Sequence, residues 1–208
     1  MTPLAVSNTE PSGIKTFYTW DYLSRTLLAT RQVAVAITGQ TIPADITRSA
    51  TYNCTPATMR FCEKPITGTD AKGNVTTYSY DAAHGGVLTE TLPAVNGVAA
   101  QKRYNYVQRT AWISNGAGGF VAGGPPIWLL ADMRLCKAGA ASGTGCATGG
   151  DEVITTYDYG PDSGPNNLLL RGVVVDAGGL SLRTCYGYDA AGNKISETKP
   201  RAGLVSCS

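Results

Sequence analysis

Polar and apolar positions alternate along this chain in short runs, and the runs stop at glycine, proline or asparagine. Lys194-Ile195-Ser196-Glu197-Thr198 switches character at nearly every step before Pro200, and Arg31-Gln32-Val33-Ala34-Val35 opens a second alternating stretch over 31–42. A period of two places successive side chains on opposite faces of a strand. No window sustains a 3.6-residue apolar period over three turns; Pro125–Cys136 comes nearest and reads as easily as a buried strand. The pattern therefore predicts an all-β chain of short strands joined by tight turns.

One hairpin sets the template. In Cys185-Tyr186-Gly187-Tyr188-Asp189-Ala190-Ala191-Gly192-Asn193, two tyrosines lie two apart and so share a strand face. Asp189 can bond its own backbone two residues on, and Gly192 accepts a positive φ at the turn. The pattern recurs. Tyr18, Trp20 and Asp21 align without a gap on Tyr186, Tyr188 and Asp189, which puts Leu27 on Ile195 and Thr30 on Thr198. Tyr78, Tyr80 and Asp81 form a third copy. Tyr104 and Tyr106 form a fourth with Val107 at the aspartate position, and Tyr157 and Tyr159 a fifth with Gly160 there. The stretch around Tyr52 reads as a decayed sixth. Turns such as Asp70-Ala71-Lys72-Gly73-Asn74 and Asp176-Ala177-Gly178-Gly179 precede some copies. Unevenly spaced, self-similar units of this size mark a repeat architecture. Strand propensity alone does not ask for an aspartate after the second aromatic.

Tyr-x-Tyr-Asp-x-x-Gly-Asn followed by a short strand resembles the YD repeat of the Rhs (rearrangement hot spot) proteins. These are large bacterial secreted or surface polypeptides, with relatives in the C components of insecticidal toxin complexes and in animal teneurins. The resemblance covers most of the chain, most strongly over 70–93 and 150–207. It implies stacked antiparallel hairpins wound into a β-sheet spiral, which in that family can close into a shell around a C-terminal toxin. The family's Asp-Pro-x-Gly-like self-cleavage core is not found in this sequence, so cleavage and toxin activity are not carried over.

Composition agrees with the β reading: 208 residues, 25 Gly, 11 Pro and 11 Tyr, with 15% charged residues. A net charge of +2 without clustered Lys or Arg disfavours nucleic-acid binding, and no apolar run is long enough for a spanning helix. Six cysteines in a Gly-rich β chain point to an oxidising destination, secreted or at the cell surface, although the first residues lack the form of a signal peptide. Proximity favours Cys54 with Cys62, Cys136 with Cys146, and Cys185 with Cys207, but the sequence leaves the connectivity and the reduced state open.

The expected organisation is a flexible or edge segment over 1–13 and a repeat domain over 14–208. Within it, a Gly-rich, cysteine-containing insertion spans about 114–151, built as two loops around one apolar strand; residues 201–208 read as cut off mid-pattern. Candidate chemistry is thin. His84, the single histidine, sits in a turn and reads as a solvated loop residue. No nucleophile elbow, zinc motif or phosphate loop occurs, so neither catalytic residue, cofactor nor metal is expected. Asn53-Cys54-Thr55 and Asn74-Val75-Thr76 match glycosylation sequons by chance. The tyrosines are expected to stack into buried ladders across neighbouring hairpins. Trp20, Trp112 and Trp128 are the candidates for an alternative glycan-binding face. The leading expectation is a non-enzymatic structural segment whose partners are the rest of a parent polypeptide or identical copies. A fibre subunit joined through free sheet edges is the second alternative.

Overall fold

The computed structural model describes residues 4–21, 24–140, 145–148 and 150–207. Among them the chain is all-β, with thirteen strands and two short 3₁₀ turns, Pro56–Phe61 and Pro200–Ala202. It divides into two compact units, 1–93 and 94–208.

The first unit holds β1 (Ser7–Thr9), β2 (Lys15–Asp21), β3 (Thr26–Val33), β4 (Ile46–Thr51), β5 (Thr67–Thr69), β6 (Val75–Tyr80) and β7 (Val87–Thr91). Each strand pairs antiparallel with the next. The alternation expected from sequence is clean on β6, where Val75, Thr77 and Ser79 are exposed while Thr76, Tyr78 and Tyr80 are half-buried. Tyrosines line one face. Hydroxyls line the other, with Thr51, Thr67, Thr77 and Thr91 opposite one another in a row across β4–β7. The second unit holds β8 (Gln101–Ser114), β9 (Phe120–Cys136), β10 (Glu152–Tyr159), β11 (Leu170–Ala177), β12 (Leu180–Tyr188) and β13 (Lys194–Glu197). They too pair antiparallel in chain order.

Each strand within a unit packs chiefly on its neighbours in sequence, so each unit is a single layer. A single layer has no opposing sheet to bury its faces. Among the described residues the buried apolar side chains are Val174 and four half-cystines, Cys62, Cys136, Cys185 and Cys207. The aromatic face is accordingly half-buried, not buried as the sequence suggested.

Within the 1–13 segment, read as flexible or edge, Ser7–Thr9 form β1, paired with β2. Several other boundaries differ from the sequence reading. The alternating run 31–42 is strand only as far as Val33; beyond it the chain is irregular up to Ile46. The region read as an insertion over 114–151 starts as the end of one long hairpin, β8–β9, closed by the turn Asn115–Gly119. Its cysteine-containing loop follows β9, and residues 141–144 and 149 within it lie outside the described residues. Residues 198–207 double back on the sheet: Thr198 bonds Cys185 through backbone and side chain, and Cys207 is bonded to Cys185.

Candidate functional site

A repeated feature of the molecule is a hook made by the second aromatic of the pairs ending in Trp20, Tyr80, Tyr159 and Tyr188. The pairs lie on β2, β6, β8, β10 and β12, and Tyr52 directly follows β4, so aromatics come on every second strand. Strands two apart are separated by roughly 9–10 Å. That spacing is too wide for rings of successive pairs to stack as a ladder, which corrects the sequence expectation. Two ring contacts are local: Tyr18 tilts against Trp20 at 6.3 Å, and Phe61 stacks on Tyr80 at 5.0 Å.

Instead the polar tip of the second aromatic reaches a backbone carbonyl on, or just before, the preceding strand. Trp20 Nε1 donates to Ala5 O at 2.7 Å. The Tyr80 hydroxyl donates to Pro65 O at 2.7 Å, Tyr159 to Leu130 O at 2.9 Å, and Tyr188 to Leu170 O at 2.7 Å. Tyr52 does the same to Leu27 O at 3.1 Å, so it is a full member of the set.

A register shift accompanies the hook. It falls immediately before the second aromatic in all five pairs, between Thr19 and Trp20, Ser79 and Tyr80, Asn105 and Tyr106, Asp158 and Tyr159, and Gly187 and Tyr188. The following strand carries the extra residue each time: Leu28, Leu88, Ala131, Arg171 and Ile195. A bulge bends the strand and sharpens its twist, which re-aims the neighbouring side chain. Leu28, not Leu27, is thus the counterpart of Ile195. The ungapped alignment slips by one because the loop after Trp20 is one residue longer than that after Tyr188.

The aspartates close the turns. Asp189 Oδ1 accepts from the backbone of Ala191 and Asn193, and its Oδ2 accepts from the Asn193 amide at 3.0 Å. Asp70 repeats these bonds with Lys72 and Asn74, and Asn115 makes the backbone pair with Ala117 and Gly119. In both aspartate turns the glycine has a φ near +80°, at Gly73 and Gly192. The asparagine amide, then the backbone N–H groups, hold the Asp70 and Asp189 carboxyls below the usual carboxylate range. Asp81 takes the N–H groups of Ala83 and His84 in a turn one residue longer. There His84 Nδ1 accepts from Gly86, and its side chain is only 9% exposed, so it is a built-in turn residue and not a solvated one.

A cation covers two of the hooks. Lys64 donates to Gly85 O at 2.7 Å and lies over the Tyr80 ring; Arg109 donates to Gly160 O at 2.8 Å and lies over the Tyr159 ring. Burial raises the hydroxyl pKa of both tyrosines, with the neighbouring Tyr78 and Tyr157 adding to it. Gly160 has a steric reason at the aspartate position, since a Cβ would meet Asn166 O at 2.4 Å. Val107 has a topological one: β8 runs on past Tyr106 without turning.

No protein-family model matches the chain, and no curated protein sequence matches it. Solved structures do. A crystal structure of TcdB2-TccC3-TEV superposes with a TM-score of 0.55 over 93% of this chain, at 19% sequence identity. The two share a fold. The chain spans only 8% of the length of that TcdB2-TccC3 chain.

The three disulfides join Cys54 to Cys62, Cys136 to Cys146 and Cys185 to Cys207. Cys136, Cys146 and Glu152 cluster within metal-ligand range, but both sulfurs are spent in a disulfide, which leaves no thiolate to bind an ion. A cleft of about 650 Å³ opens beside the first disulfide, lined by Asp21, Ser24, Phe61 and Lys64 among others. Ser24 Oγ in this lining shares a hydrogen bond with Thr26 Oγ1 at 2.7 Å. Trp20 anchors β2 in the first unit; in the second, Trp112 pairs with Ala122 and Trp128 with Gln108. Sequence reasoning singled out the aromatics and the turn aspartates but missed the bulges, Lys64 and Arg109. The recurrent residue pair behind the bulge was visible only as an uneven loop length.

Proposed function

We propose that this chain is a non-enzymatic wall segment of an Rhs/YD-repeat polypeptide. It contributes a length of single-layer β-sheet to a shell or extended surface scaffold. The observation that carries the reading is the register shift repeated before the second aromatic of all five pairs. The shift recurs on β2, β6, β8, β10 and β12, and on four of these strands the aromatic beside it ties back to the strand before, which is the regularity a wall built from repeats requires. The fold shared with TcdB2-TccC3 supports the same reading. The half-buried aromatic face, with no second layer in either unit, suits a sheet completed by further chain.

The character of β1 and β13 themselves makes them poor templates for pairing with other copies. β1 is three residues long, and β13 is four residues long with a Lys194–Glu197 ion pair at 2.6 Å. Short, charged edges are how sheets avoid pairing with other copies. Electron microscopy and light scattering on the purified chain test the proposal. Discrete monomeric particles are expected at all concentrations; uniform filaments growing with concentration would transfer the assignment to a fibre subunit. Glycan-array binding lost on Trp20→Ala would transfer it to a carbohydrate-binding module.

A further inference from the structure

One hairpin breaks the pattern of the wall. After the second aromatic the other pairs leave the strand ladder at once, whereas β8 continues from Tyr106 to Ser114 and returns as β9 from Phe120. The result is a two-stranded ribbon over 107–129, tipped by the Asn115–Gly119 turn. Between Arg109 and Asp132 its sequence carries no charged side chain at all. Large apolar groups stand exposed on both of its faces. Ile113 and Val121, directly opposite each other near the tip, are 54% and 46% exposed; Phe120, on the other face, is 38% exposed.

That two-sidedness matters. A ribbon docked on a protein surface needs one apolar face and leaves the other polar. A ribbon apolar on both faces and uncharged from Thr110 to its tip and back suits a medium that surrounds it. Trp112 and Trp128 lie on this ribbon, and tryptophan favours the boundary between acyl chains and headgroups. The outer edge of β9 beyond Asp132 is not paired with β10, whose ladder covers only Asp132–Cys136. Unpaired backbone is too costly in the hydrocarbon centre. The Pro125-Pro126 pair removes two donors from this strand, and the remaining groups can stay hydrated at headgroup depth. The ribbon base is meanwhile held rigidly. Asn167, 3% exposed, donates to Thr110 O and accepts from the Trp112 N–H, while Arg109 is fixed on the carbonyls of Gly160 and Asn167.

We propose that the tip of the β8–β9 ribbon inserts into the interface of a lipid surface through apolar contact, without spanning it. Because the inserting part beyond Arg109 is uncharged, binding is expected to be alike on neutral and anionic lipid and insensitive to salt. The test is co-flotation of the full chain with phosphatidylcholine vesicles, repeated with phosphatidylserine added and at high salt. Ile113→Asp and Val121→Asp should each lower the bound fraction roughly tenfold or more, as a charge at this depth would. Ile195→Asp, at an even more exposed apolar residue outside the ribbon, should leave it unchanged, with circular dichroism confirming that every variant is folded. Absence of vesicle binding by the unaltered chain would overturn the proposal. So would binding that needs anionic lipid, or that survives both tip substitutions. Self-association abolished by Ile113→Asp, without vesicle binding, would assign the ribbon to a second copy of the chain instead.

Discussion

At the scale of single residues, the hook and the turn aspartate divide the work between tip and ring. The hydroxyl of Tyr80 or Tyr188 donates to a carbonyl on or just before the preceding strand, while the ring stands next to the bulge. Tyr80→Phe and Tyr188→Phe keep the ring and remove that hydrogen bond, so each should cost about 1 kcal/mol in denaturant unfolding. Tyr78→Phe, at the first position of its pair, serves as the comparison. The aspartates respond to acid. Asp70 and Asp189 titrate lower folded than unfolded, so their support is present above the ordinary value near 3.8 and is lost as pH falls through their folded values. Thermal midpoints should therefore decline from pH 5 towards pH 2. Exchanging both asparagine partners, Asn74→Ala with Asn193→Ala, should flatten that decline and move both carboxyl titrations upward by NMR. The tyrosine–aspartate signature was legible in sequence because it is chemical: each atom of the aspartate has a named partner. His84 was misread because nothing in its neighbours' identities shows that Asp81 and Gly86 will close around it.

At the scale of elements, the bulge sets where each aromatic points, and its cost is confined to one extra residue on the returning strand. Deleting Leu88 would let β6 and β7 pair without the shift and would turn part of the ladder over, since a one-residue slip exchanges the two faces. We expect a loss on the order of 2 kcal/mol. Faster hydrogen exchange should be confined to Val75–Thr91, with the β11–β12 ladder unaffected. Close packing adds a second check. Gly172 lies under the C-terminal disulfide, where a Cβ would come within 2.6 Å of Cys207 Sγ. Gly172→Ala should destabilise by about 1–3 kcal/mol as an overpacking change. The variant also carrying Cys185→Ser and Cys207→Ser should show little further loss from the alanine. The strands and hairpins were readable from alternation and turn residues. The bulges were not, because a single inserted residue leaves composition and periodicity almost untouched. The strand over 31–42 failed for a related reason: its alternation is real, but β4 offers pairing only to Ala29–Gln32.

At the scale of the whole molecule, half-cystines stand where other proteins keep a hydrophobic core. Cross-links that close loops of this size contribute roughly 2–4 kcal/mol each when unstrained. Little else is buried to replace them. Full reduction should consequently abolish a sharp unfolding transition, and hydrogen exchange should rise first around 54–64 and 185–207. The aromatic strands add a further consequence. Because they alternate with plain ones, the smallest complete increment of this architecture is a strand pair, which on β2, β6, β10 and β12 arrives with its own anchor and its own bend. Duplicating or excising one such pair leaves every other anchor seated on its original neighbour. Genes for chains like this can therefore change length freely in even steps, whereas an odd step would strand an anchor beside the wrong partner.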